Sequence, residues 1–167
     1  MKDLFEFASF ASTARDRIPS SKVDWSVSPF GWMRHHGPRT KSKMGRDIAQ
    51  TWLEARGVKW EPSENGVAHL FVPEMGNVVV HLSLLGKEGL FEFSNLREPG
   101  LGTDAIWLIG IEPLRVRLWG VKPSSCVGLP TYSSDQPGYH HYNFDPEDPP
   151  QWMKLLDEWS DQTLEGV

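Results

Sequence analysis

Cysteine is almost missing from this chain of 167 residues, where Cys126 stands alone. A single thiol closes no internal disulfide and builds no cysteine-based zinc finger, which suits a cytoplasmic protein with one inert thiol. Long hydrophobic runs are missing too. No window approaches the roughly 18 consecutive apolar residues needed to span a bilayer, so no membrane partner is expected. The first residues, MKDLFEFASF, carry acids inside their apolar run and show no secretory cleavage pattern, so no signal peptide is expected either. Gly86, Gly89 and the pair Gly100 and Gly102 lack the strand-to-helix setting of a phosphate-cradling loop. No Gly-x-Ser-x-Gly elbow supports a serine nucleophile. The chain shows no internal repeat and no low-complexity segment.

What is present suits a single folded domain over 1–167, because 39% of residues are hydrophobic and eight are Trp. The expected organisation is an N-terminal helix and loop (1–39), a core (40–122), and a loop with an acidic C-terminal helix (123–167). A net charge of −5 excludes a polycation that binds nucleic acid over its whole surface. The charge is unevenly spread, however. Arg34, Arg39, Lys41, Lys43 and Arg46 run without an intervening acid and are joined by His35 and His36. From Asp145 onward, Glu147, Asp148, Asp157, Glu158, Asp161 and Glu165 face the single base Lys154.

The hydrophobic pattern predicts a helix over 3–18, an irregular stretch over 22–39, and a helix from Thr40 to Arg56 ended by Gly57. In that second helix Met44, Ile48, Trp52, Leu53 and Ala55 form the buried stripe, with Lys41, Lys43 and Arg46 expected on the opposite side. A short strand over Val58 to Glu61 is expected to enter the chain's central stretch, 66–97. That stretch alternates at a period of two and predicts three consecutive strands joined by the turns at 73–77 and 86–89. The run from Asp104 to Ile111 is nearly continuous in apolar residues and predicts a strand buried on both faces. Strands are also expected at Val116–Val121 and Tyr139–Phe144, with a loop over 123–137 between them. A helix over QWMKLLDEWS is expected to start at Pro149-Pro150 and to bury Trp152, Leu155, Leu156 and Trp159. The predicted class is α+β (mixed α/β). Its central sheet, mostly antiparallel or mixed and of five to six strands, is flanked by N-terminal and C-terminal helices.

Trp52-Leu53-Glu54-Ala55-Arg56-Gly57-Val58, the strands of 66–93 and Leu108-Ile109-Gly110-Ile111-Glu112-Pro113 together resemble the PD-(D/E)XK restriction-endonuclease-like fold. The likeness is greatest to small prokaryotic and phage members. The resemblance covers roughly 40–122 and implies strand carboxylates that hold one or two Mg²⁺ ions, with a lysine that positions or activates water. The motif itself is degenerate. Val79 stands at the carboxylate and His81 at the lysine of Val78-Val79-Val80-His81-Leu82-Ser83, and Ala68 stands nearest the aspartate. These side chains offer a hard cation no oxygen, so the resemblance implies a pseudoenzyme with neither cofactor nor metal. A migrated site would draw on Glu74, Glu88, Glu92, Asp104 and Lys87. A histidine metal site would draw on His69 and His81, or on His140 and His141.

The basic segment is the stronger functional candidate. Arg34, His35, His36, Arg39, Lys41, Lys43 and Arg46 join a Gly/Pro-bearing loop to a helix N-terminus, and phosphate oxygens favour both features. Trp25, Phe30 and Trp32 offer stacking surfaces to a single strand. The expected function is therefore binding of nucleic acid or a nucleoprotein by a catalytically inactive scaffold. The alternatives are an interaction module or inhibitor, such as a phage-encoded one that grips a host protein, and a metal-dependent nuclease with a rearranged site.

Overall fold

Helix α1 runs from Pro38 to Ala55 in the computed structural model, which describes residues 24–26, 28–66, 68–131 and 138–160. The predicted helix over 3–18, residues 132–137 of the predicted loop, and Asp161 and Glu165 lie outside the described residues. Proline suits the first helical position, where its missing N–H would have had no partner. Met44, Ile48, Ala49 and Leu53 bury one stripe of the helix. Gly45 sits within that stripe, and a Cβ there would lie 3.3 Å from Leu82 Cβ, so the helix lies close on the sheet. The C-terminus closes as expected. Gly57 turns back at φ 69°, its N–H donates to Glu54 O at 3.1 Å, and Val58 N–H donates to Leu53 O at 3.0 Å. That pair of bonds is a Schellman closure, and it satisfies carbonyls the helix would otherwise leave open.

The strands are β1 (Glu61–Pro62), β2 (Leu70–Val72), β3 (Gly76–Leu84), β4 (Phe91–Arg97), β5 (Ala105–Glu112), β6 (Arg115–Val121), β7 (Tyr139–Phe144) and β8 (Lys154–Ser160). Six of them form one mixed sheet in the order β1-β2-β3-β5-β6-β8, and β4 pairs with β7 in a separate two-stranded ribbon. The class is α+β with a central sheet. All contacts inside the large sheet are antiparallel except β3 with β5, which run parallel from Val78↔Ala105 to Leu84↔Ile111.

Two expectations are corrected. The three strands of 66–97 do not make one meander, because β4 leaves the sheet after β3 and crosses its face. The reason lies in β5, whose Ile106 and Leu108 face one side while Trp107, Ile109 and Ile111 face the other. A strand apolar on both faces needs cover on both. Helix α1 covers one side, and the ribbon brings Phe91, Phe93, Leu96 and Phe144 to the other. Asn95 takes φ 59° at the irregularity between Phe93 and Leu96, a conformation asparagine tolerates better than most residues.

The second correction concerns QWMKLLDEWS, which is not helical. Its last seven residues form β8, antiparallel to β6 from Arg115↔Ser160 to Gly120↔Lys154 with a shift between Leu118 and Trp119. Leu156 and Trp159 fit a helical stripe, but they equally serve a strand whose register shifts once. Pairing with β6 satisfies a whole row of backbone groups, and that outweighs local helix preference. Leu156 packs over Gly120, with its Cδ1 3.2 Å from where a Cβ would sit, and Trp159 joins the helix-side core.

The ribbon-side core is aromatic. Phe91, Trp119 and Phe144 meet with ring centroids 5.3 to 5.8 Å apart. Gly110 makes room for them, since a Cβ there would lie 2.7 Å from Phe91 Cζ and 2.8 Å from Trp119 Cζ3.

Candidate functional site

The chain reaches α1 through a tight 3₁₀ turn, Gly31–His35, that buries Met33 and leaves Arg34 and His35 exposed. Arg34, His35, His36, Arg39 and Lys43 are all exposed, so most of the predicted basic segment is solvent-facing. Lys41 and Arg46 are half-buried. Lys41 therefore does not lie opposite the buried stripe as expected. It projects towards the sheet, because position 41 falls on the helix sector between Met44 and Gly45. The first turn of α1 holds no acid, and its cap residue Gly37 supplies no side-chain hydrogen bond. The positive end of the helix is thus bare of compensating negative charge in its own first turn.

Two clefts flank this end of the helix. The first, about 790 Å³, is lined by Trp25, Trp32, Arg34, His35 and Lys87, with Asp24 at its rim. Serine hydrogen bonds hold Asp24 below the usual carboxylate range, the hydroxyl of Ser26 first and its backbone N–H second. Trp32 is 40% exposed, and its ring meets His36 edge-on at 5.6 Å. Of the three aromatics expected to stack, Phe30 is corrected. It is 3% exposed and belongs to the core, and Trp25 also rests partly on core residues.

The second cleft, about 620 Å³, opens at the edge of β3 beyond the short strand β2, between the first turn of α1 and the ribbon. Lys41 and Ser42 line it from the helix, His69 from the approach to β2, Val79 and His81 from β3, Glu92 and Arg97 from β4, and Tyr139 from β7. Val79 and His81 thus share a cleft, whereas Ala68 is buried outside that lining and donates its N–H to Asn65 Oδ1 at 2.9 Å. His69 Nδ1 accepts the N–H of Val80 at 3.0 Å, so the neutral ring carries its proton on Nε2. His81 Nε2 is sealed from solvent and has no hydrogen-bond partner. Burial, then the positive fields of Arg46 and Arg97, lower the pKa of His69. Burial, then the fields of His69 and Arg97, push His81 down to about 3. The cleft is a place where positive charge converges on imidazoles kept neutral.

The other singled-out residues disperse. Glu74 and Glu88 are exposed on turns, and Asp104 Oδ2 accepts the N–H of Asn77 at 2.8 Å. His140 is buried, with Nδ1 2.8 Å from Leu129 O and Nε2 3.0 Å from Glu98 Oε2, while His141 is half-buried beside it. Burial first, then Glu98, raises the Cys126 thiol to about 11, which keeps it in the protonated, unreactive form. Among the described residues no three His, Cys, Asp or Glu side chains gather as metal ligands, and no helix is long and apolar enough to cross a membrane.

Sequence reasoning missed three contributors, Lys87, Arg97 and Tyr139. Lys87 enters the sequence reading only as part of a migrated catalytic site, and no local pattern marks Arg97 or Tyr139. Arg97 reaches the cleft because β4 crosses the sheet face, and Tyr139 because β7 pairs with β4 through Arg97↔Tyr139. No family model, curated protein or solved structure matches the chain.

Proposed function

We propose that this protein binds single-stranded nucleic acid across the start of α1, with the scaffold acting as a binding platform. The observation that carries this reading is the first cleft, where an exposed Trp32 and a half-buried Trp25 stand beside Arg34, His35 and Lys87. Aromatic faces for bases next to cations for phosphates are the recurring chemistry of single-strand recognition. Arg39 and Lys43 extend the basic track along the exposed side of α1. A cytoplasmic setting, where such strands are met, goes with this reading. So does the resemblance to a nuclease-like scaffold whose motif positions hold Ala68, Val79 and His81.

Fluorescence anisotropy with a single-stranded oligonucleotide at several salt concentrations tests the proposal. Affinity falls as salt rises, and Trp32→Ala weakens binding by about 1–3 kcal/mol, the usual contribution of one stacked base. Binding that ignores both salt and Trp32 overturns it. Retention of a partner protein in place of nucleic acid would favour an interaction module.

A further inference from the structure

We propose that the second cleft is a subsite for a phosphate monoester, the chemistry shared by the 5′ end of a nucleic-acid strand and by a free nucleotide. The proposal deepens the nucleic-acid reading and rests on it only for the source of the phosphate.

Three independent features converge there. The first turn of α1, without acid or side-chain cap, presents its positive end next to Lys41 and Ser42. Arg97 brings a guanidinium from the opposite wall, with its Cζ 5.6 Å from the centre of the Tyr139 ring. On the β3 wall, His81 turns a solvent-sealed Nε2 towards no protein partner, an arrangement that is costly to bury unless something is to be bound. His69 adds an Nε2–H donor, because its Nδ1 is occupied by Val80.

The sign of the ligand follows from the same groups. Lys41 and Arg97 oppose a metal cation beside the two imidazoles, and together they outweigh Glu92, the one acid of the lining. A monoester suits the place better than a diester. It carries up to two negative charges and three free oxygens, so donors can approach from the helix, β3 and β4 together. The space of about 620 Å³ accommodates a nucleotide.

A bound dianion would also relieve the field that keeps the imidazoles neutral. The charged and titratable groups facing them are Lys41 and Arg46 from α1, Glu92 and Arg97 from β4, and Tyr139 from β7.

Two measurements test the subsite. In the first, NMR follows the ring protons of the histidines against pH, in inorganic phosphate and in chloride of equal ionic strength. The midpoint of His69 rises by about one pH unit in phosphate, and His81 moves the same way. No selective movement overturns the subsite. In the second, anisotropy compares a 5′-phosphorylated oligonucleotide, its 5′-hydroxyl twin and adenosine monophosphate as competitor. The phosphorylated strand binds about tenfold more tightly than its twin. Arg97→Gln and, separately, Lys41→Gln each abolish that difference, so a folding defect in one variant leaves the other to decide. Equal binding of both strands by the parent protein overturns the subsite while leaving the nucleic-acid reading standing. Phosphate-dependent histidine shifts without binding of either strand do the reverse, and effective competition by the mononucleotide assigns the site to free nucleotides.

Discussion

The two ends of α1 are built on opposite principles. At the C-terminal end every device closes the helix down. Gly57 completes a Schellman turn, Trp52 Nε1 donates to Asp157 Oδ2 at 2.9 Å, and Arg56 reaches the same oxygen at 2.5 Å while stacking over Trp52 at 4.7 Å. At the N-terminal end there is no side-chain cap and no acid in the first turn, where Arg39 stands at the positive pole with Lys41 just behind it. Cations there oppose the helix dipole by a few tenths of a kcal/mol each. The same helix is therefore tied into the sheet at one end and held open, at a cost, at the other. Stability and binding are thus separable along one element.

The largest expected effect is at the open end and depends on pH. His81 titrates near 3 in the folded protein against about 6.5 when unfolded. The unfolded chain therefore takes up the proton first on acidification. His81 leaves stability untouched above about pH 6.5 and lowers it as pH falls towards 3, with a slope approaching 1.4 kcal/mol per pH unit. His69 shifts in the same direction and adds to the loss. Urea titrations at several pH values check this, and His81→Phe should flatten the profile. A profile equally steep in that variant would place the acid sensitivity elsewhere.

Next in size, the double change Arg39→Ala with Lys43→Ala weakens oligonucleotide binding by about 2 kcal/mol in low salt. It also lowers the slope of log affinity against log salt by roughly one to two, without lowering the melting temperature. At the closed end, Asp157→Ala strands the Trp52 N–H and costs about 1–2 kcal/mol of stability with no change in binding. The Arg56 contact contributes little of this, because that side chain is 49% exposed. Gly57→Ala comes next at about 1 kcal/mol, through its left-handed φ. The smallest effect is the sharpest comparison. Arg39→Glu, in the first turn, should stabilise the helix by about 0.5 kcal/mol while weakening binding, so that the two readouts move in opposite directions.

Much of the scaffold was legible in the sequence. The stripe of Met44, Ile48 and Leu53, ended by Gly57, specified α1 nearly to its boundaries. The unbroken run from Ala105 to Ile111 specified a strand buried on both faces. What stayed hidden was tertiary. Alternation in 91–97 marks a strand but does not say which sheet it joins, and only the need to cover Ile106 and Leu108 lifts β4 out of the meander. Trp152, Leu155, Leu156 and Trp159 are compatible with a helix until the unpaired edge of β6 claims the last three. The exposed cations of 34–46 were visible as a run. The cleft was not, because Arg97 and Tyr139 come to Lys41 and His81 through the ribbon.

One small bond has a wider consequence. Among the described residues, no strand neighbours the outer side of β3 beyond Val78, and an open strand edge invites pairing with another molecule. His69 blocks the first position by accepting the Val80 N–H itself. That guard depends on a bare ring nitrogen, so protonation of Nδ1 removes it and leaves a bonding position unclaimed. Mild acid should then promote stacking of one copy against another through this margin, visible as rising light scatter. His69→Ala, which leaves no acceptor at that place, should scatter already at neutral pH, whereas His69→Asn keeps an oxygen where Nδ1 stood and should not.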